Sequence, residues 1–203
     1  MSRIFKTIAA AAVCASLFAS AASAQQSTQF NGVIIVAAAA SPSQQDAATA
    51  QKDTASAQFK RATIVNFAST ATPGSILINT KEHALYLVLG NGQGAKYRVA
   101  TAKKGFEWAG THKISLKAKW PSWSPPAEMR QRRPELPAFM AGGPTNPLGA
   151  RAIYLGNSIY RIHGTNEPKS IGKSASSGCI RMLNEDVSEL YQFVKLGASV
   201  TVL

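Results

Sequence analysis

From residue 73 to residue 203 the chain is cut by glycine, proline and asparagine into short apolar runs. That punctuation constrains the fold more than any other feature, because most runs are too short for a helix and long enough for a strand. Ile76-Leu77-Ile78 and residues 84–89 are β-rich and are joined by the polar Thr80-Lys81-Glu82-His83, a hairpin signature in which His83 reads as a solvated turn residue. Gly90-Asn91-Gly92-Gln93-Gly94 then turns the chain, and residues 96–101 return as a third strand. Residues 111–119 alternate: His112, Ile114, Leu116 and Ala118 share one face, and Lys113, Ser115, Lys117 and Lys119 the other. His112 is therefore a strand-face histidine and not a ligand. Residues 152–155 and 158–162 pair across Gly156-Asn157, which delivers His163 to a strand end. Residues 199–203 close the chain as a last strand.

Two stretches read as helix. Residues 128–133 form a short one, stopped by Pro134. The other starts at Asn184 as N-cap, with Glu185 and Asp186 in the positive first turn and Val187, Leu190, Tyr191 and Val194 as its core stripe. Lys195 and Gly197 mark its end. Between residues 136 and 149 proline and glycine forbid a regular element, and a loop this long reads as the lid or wall of a cleft, or as a rigid excursion. The fold class is mainly β with one or two short helices, and about 130 residues suffice for one core without disulfides.

The amino-terminal part differs in kind. Residues 1–24 read as a secretory signal peptide: Arg3 and Lys6 precede an Ala-rich apolar stretch, and Ala22-Ser23-Ala24 is an A-x-A cleavage site. Residues 25–72 are Ala-, Gln-, Ser- and Thr-rich and read as a flexible tether, with some helix over 46–60 and a first strand at 63–67. The apolar run at 32–40 is too short to span a bilayer, so no stable membrane span is expected. Cleavage would remove Cys14 and leave Cys179 as the one cysteine, a free thiol in an oxidising compartment. No cysteine pair or Cys/His cluster suggests a metal.

That thiol sits in the most informative segment, HGTNEPKSIGKSASSGCIR, from His163 to Arg181. A lone cysteine is more often a buried hydrophobe than a nucleophile, and a lone histidine is usually a packed residue. Here a histidine followed by glycine precedes by sixteen residues a cysteine introduced by Ser176-Ser177-Gly178. A thiol nucleophile needs a base and oxyanion donors, which His163 and the Gly178 and Cys179 amides could supply.

The ordered motifs carry a resemblance. His163-Gly164-Thr165-Asn166, Ser176-Ser177-Gly178-Cys179-Ile180-Arg181-Met182-Leu183-Asn184, the run Asn146-Pro147-Leu148-Gly149-Ala150-Arg151-Ala152 and Trp123-Ser124-Pro125-Pro126 resemble the L,D-transpeptidase catalytic-domain family. The match covers about residues 73–203. Gly105-Phe106-Glu107-Trp108-Ala109-Gly110 departs from it, standing where the family commonly has a proline-threonine-rich turn.

The resemblance implies a small β-rich, sandwich-like fold and an exported cysteine acyltransferase, located in the periplasm or cell wall and needing no cofactor. Its donor would be a peptidoglycan tetrapeptide stem, and its acceptor another stem, a lipoprotein or a D-amino acid. Cys179 would be the nucleophile and His163 the base; Gly178 and Cys179 would hold the oxyanion. Arg181, Ser177 and Gly164 would contact substrate, although Arg181 could instead pin the loop and Ser177 could close the turn. The same site would also serve a carboxypeptidase or amidase, and a non-catalytic wall-binding module is the reading from another class. Charge fits a carboxylate-bearing partner: the whole chain carries +12, and residues 73–203 hold 17 Lys and Arg against 8 Asp and Glu. No nucleic-acid-binding motif appears.

Overall fold

The computed structural model describes residues 57–203. The signal peptide, Cys14, the run at 32–40 and most of the 46–60 helix lie outside the described residues. Among those described, no helix is long and apolar enough to cross a membrane.

One nine-stranded sheet organises the molecule. Ile76–Asn79 (β2) and Ala84–Gly90 (β3) form the expected hairpin, and β3 pairs on its other side with Gln93–Arg98 (β4). The turn between β2 and β3 is not simply solvated: His83 takes a left-handed φ of 48° and its Nδ1 lies 2.9 Å from Thr101 Oγ1. Thr63–Asn66 (β1) caps this edge by pairing with β4. The third strand ends earlier than its sequence suggests. After Arg98 the chain turns away, Ala100 bridges to Arg181, and Thr101–Ala102 (β5) pairs with Ser174–Ser176 (β9) in a separate two-stranded ribbon.

The long strand Gly110–Lys119 (β6) joins the two halves of the sheet. Its first residues pair with Ser199–Val202 (β11), which lies beside β2, and its later ones with Arg151–Leu155 (β7). A bulge between Ile114 and Leu116 marks the changeover. One extra residue there inverts the alternation, so Leu116, expected inside, is 54% exposed. Lys117, expected outside, turns inward and donates to the Tyr191 and Val194 carbonyls at 2.6 and 2.7 Å. Beyond β7 come Arg161–His163 (β8), antiparallel, and Ile180–Arg181 (β10), parallel to β8 at the sheet edge.

Ala127–Arg132 (α1) is the short helix. Asn184–Phe193 (α2) is the amphipathic one, with Val187 and Leu190 buried along it and Val194 buried just past its end. Asn184 is its first residue and not its cap, because its side chain is used elsewhere. Its Oδ1 accepts from the Ala150 and Thr165 amides at 2.9 and 3.2 Å, and its Nδ2 donates to the Thr165 carbonyl at 3.0 Å. A single core cluster runs through both halves of the sheet, from Ile76, Leu85 and Tyr97 to Ile153, Ile162, Ile180 and Leu190. The described residues are thus mainly β and sandwich-like, with two α-helices among them.

That core reaches back before residue 73, into the stretch read as a tether. Phe59 and Ile64 are buried in it. Glu189 on α2 accepts from the Lys60, Arg61 and Ala62 amides at 2.7 to 3.1 Å, and from the Tyr97 hydroxyl at 3.0 Å. The 136–149 loop is held by hydrogen bonds at Asn146 and Met140 and forms one wall of a cleft. Asn146, fully buried, donates to the Met140 and Ala141 carbonyls and accepts from the Leu148 amide, while Met140 and Trp123 exchange backbone hydrogen bonds at 2.7 and 2.8 Å.

Candidate active site

The site follows from a period of two. In β8 the middle residue, Ile162, points into the core, so Arg161 and His163 share the opposite face. β10 runs parallel with Ile180 opposite Ile162 and Arg181 opposite His163. Ile180 is buried too, which sends Arg181 and Cys179 to the same face as the histidine. Arg161, His163, Cys179 and Arg181 all line one cleft of about 270 Å³. Leu136, Met140 and Pro147 of the wall and Met129 of α1 close its other side. A larger groove, about 580 Å³, lies around Pro73, Lys113 and Lys195, but neither a cysteine nor a histidine lines it.

His163 is buried, and its Nδ1 lies 2.6 Å from the Gly164 carbonyl oxygen. A carbonyl can only accept, so that nitrogen carries the proton and Nε2 is the basic one. Burial, with Arg181 and Arg161 nearby, pushes the imidazole down to about 3, so it is neutral at physiological pH. Gly164 thus serves the histidine through its carbonyl and is not among the residues that line the cleft. It is buried, and a Cβ there would meet Asn184 Oδ1. The group that orients the imidazole, invisible in sequence, is this carbonyl.

Cys179 is a free, half-buried thiol. Its Sγ lies 3.8 Å from the Ile159 carbonyl oxygen. Among the described residues its hydrogen bond is to that carbonyl and not to His163. Burial pushes the thiol up, while Arg161 and Arg181 pull it down.

The turn before it is closed by Ser176, not Ser177. Ser176 Oγ donates to the Cys179 carbonyl at 2.5 Å and accepts from the Gly178 amide at 3.2 Å. That bond occupies one of the two amides expected for an oxyanion; among the described residues the Cys179 amide has no partner. Ser177 lines the cleft beside the thiol.

Gly178 has φ +112°, and a Cβ there would lie 2.7 Å from the Tyr160 ring. Tyr160 is held in turn by Trp108, whose ring stacks on it at 4.2 Å and 6°. The Trp108 indole N–H donates to the Gly178 carbonyl at 2.7 Å. The turn that departs from the family pattern therefore braces the cysteine loop.

Arg181 Nη1 donates to Glu167 Oε2 at 2.7 Å, an ion pair between side chains on the rim and not a bond to backbone oxygens. Sequence reasoning missed Arg161, Glu167, Trp108 and Tyr160. Arg161 had a signal, since it stands two residues before His163 in a strand. Trp108 and Glu167 had none, because their contacts cross 70 and 14 residues.

The sequence matches the model of the L,D-transpeptidase catalytic domain (YkuD) family over residues 73–202. It is 34% identical over 137 residues to the probable L,D-transpeptidase ErfK/SrfK of Escherichia coli, covering 63% of this chain and 43% of that one. It is 35% identical over 133 residues to the Bacillus subtilis protein YqjB, covering 63% and 69%. An L,D-transpeptidase structure from Mycobacterium smegmatis is alike in fold, with a TM-score of 0.51 at 16% identity over 63% of this chain and 57% of that one. The chain spans less than half the length of the Escherichia coli relative. With the family model covering well over half of its residues, the chain belongs to the L,D-transpeptidase catalytic-domain family.

Proposed function

We propose that this protein is an exported cysteine L,D-transpeptidase acting on peptidoglycan stem peptides in the periplasm or cell wall. The observation that carries the reading is the shared face of β8 and β10, which lines one cleft with a thiol, a neutral imidazole and two arginines. In this reading the Cys179 thiol swings from the Ile159 carbonyl and passes its proton to His163 Nε2. Sγ then attacks the carbonyl of the third stem residue, and the Cys179 amide steadies the oxyanion. The C–N bond to the terminal D-alanine breaks, and the leaving nitrogen takes the proton from His163. A thioester remains. The acceptor amine attacks it, gives its proton to the imidazole, and the sulfur leaves.

Arg181 with Glu167 suits a zwitterionic group such as the free end of meso-diaminopimelate, the arginine for its carboxylate and the glutamate for its ammonium. The acceptor is an amine from a second stem, a lipoprotein or a D-amino acid. An amine is a better nucleophile than water toward a thioester, which favours transfer over hydrolysis.

Mass spectrometry of a tetrapeptide stem incubated with the protein and a millimolar D-amino acid is the test. Replacement of the terminal D-alanine is expected, with Cys179→Ala inactive and an L-amino acid not competing. Tripeptide as the sole product would make the protein a carboxypeptidase, and no change in the stem would leave a binding module.

A further inference from the structure

The cleft holds two arginines, and they differ in how their charge is met. Arg181 is neutralised by Glu167. Arg161 has no carboxylate partner among the described ion pairs, which involve Arg61, Lys96, Arg133 and Arg181. Its Nη1 donates to the Ile159 carbonyl at 3.3 Å, and its guanidinium lies 5.1 Å from the centre of the Tyr154 ring. Its Nε is buried and, among the described residues, is the one buried side-chain nitrogen or oxygen without a hydrogen-bond partner. A buried N–H left open is costly, so an orphan beside a reactive group asks for an acceptor that comes and goes.

The acceptor is at hand. The Cys179 Sγ and the Arg161 guanidinium meet at one atom, the Ile159 carbonyl oxygen, at 3.8 and 3.3 Å. The β8–β10 register sets the two residues side by side, one step before the Ile162–Ile180 pair. We propose that Arg161 is the counter-ion of the Cys179 thiolate, so that the orphaned guanidinium N–H and the uncompensated charge are satisfied when the thiol loses its proton. The S–H bond breaks, its proton goes to His163 Nε2 or to water in the cleft, and the sulfur keeps the electron pair against the guanidinium.

The guanidinium stays beside the sulfur as a fixed charge, whichever base takes the proton. Burial and the same arginines disfavour the charged imidazole, so His163 is not the lasting counter-charge of the sulfur. Of the charged groups pulling the thiol down, Arg161 is foremost. Arg161 acts through Cys179 and is a positioning residue. The inference rests on Cys179 being the nucleophile, but its test uses no stem peptide and can succeed or fail apart from the transpeptidase reading.

The test is the pH dependence of iodoacetamide alkylation, followed by mass spectrometry on the Cys179-containing peptide of the purified protein. Alkylation reports the thiolate fraction. Arg161→Gln and Arg161→Met should each raise the midpoint by about one pH unit, which is about tenfold slower reaction below it. Arg161→Lys should recover most of the loss, because it keeps the charge and the aliphatic stem. Arg181→Gln should move the midpoint less, since Glu167 already offsets that charge. A melting curve for each variant identifies those that fold, and the Gln and Met replacements give two chances at a folded neutral one. A midpoint unchanged in a folded neutral variant overturns the proposal. So does a shift in Arg161→Lys as large as in the neutral variants, which would assign the effect to packing and not to charge.

Discussion

At the scale of single residues, the site is set by what each position forbids. Gly178 has a left-handed backbone and no room for a Cβ against Tyr160. Gly178→Ala should therefore cost about 1–3 kcal/mol of stability and more than about tenfold in turnover, read by thermal melting and by stem exchange. A fold loss without a turnover loss would mean the loop relaxes without moving the thiol. His163 makes a pH prediction. The unfolded imidazole binds a proton below about 6.5, whereas the folded one resists until about 3. Protons therefore favour the unfolded chain throughout that window, and stability is lost as pH falls through it, by up to about 1.4 kcal/mol per unit. Urea midpoints at about pH 7 and about pH 4 should separate widely in the native chain and less in His163→Gln. Equal separation would assign the acid sensitivity to other groups.

At the scale of elements, two contacts join segments distant in sequence. The 105–110 turn reaches the cysteine loop through Trp108, which stacks on Tyr160 and donates to Gly178. Trp108→Phe keeps the stack and drops the hydrogen bond. It should lower the rate of stem exchange several-fold with a stability loss of about 1 kcal/mol, while Trp108→Ala should lose both. An unchanged rate in Trp108→Phe would show that the bond to Gly178 holds nothing the chemistry needs. Lys117 joins β6 to the carboxyl end of α2, where carbonyls lack intrahelical donors. Lys117→Met should leave those carbonyls unpaired and destabilise by about 1–3 kcal/mol, measured by urea unfolding. An unchanged midpoint would mean water serves them as well.

For the whole molecule, the family match begins at residue 73, but the packed unit begins sooner. Phe59 and Ile64 belong to the core, and Glu189 gathers three amides of residues 60–62 onto α2. A chain starting at residue 57 should melt well above one starting at residue 73. One starting at residue 73 should lose several kcal/mol, about 3–5 for Phe59 alone if it behaves as a Phe→Ala truncation. If both truncations melt alike, the amino-terminal strap contributes no net stability.

The sequence by itself determined whatever depends on local order. Turn residues and alternation gave the β2–β3 hairpin, β7, β8, β11 and α2, and the motif around His163 and Cys179 pointed to two residues that line one cleft. Period two even implied that Arg161 faces the same way as His163. Tertiary structure decided the rest, for physical reasons that local order cannot carry. One extra residue at the Ile114–Leu116 bulge inverted half a strand, and no composition signal marks a bulge. Asn184 gave up the expected cap to hold Ala150 and Thr165, and Trp108 reached across 70 residues to Gly178. The state of the thiol was decided the same way. It depends on how deeply the fold buries Cys179 and on which arginine lies uncompensated beside it, and both are properties of the assembled sheet edge.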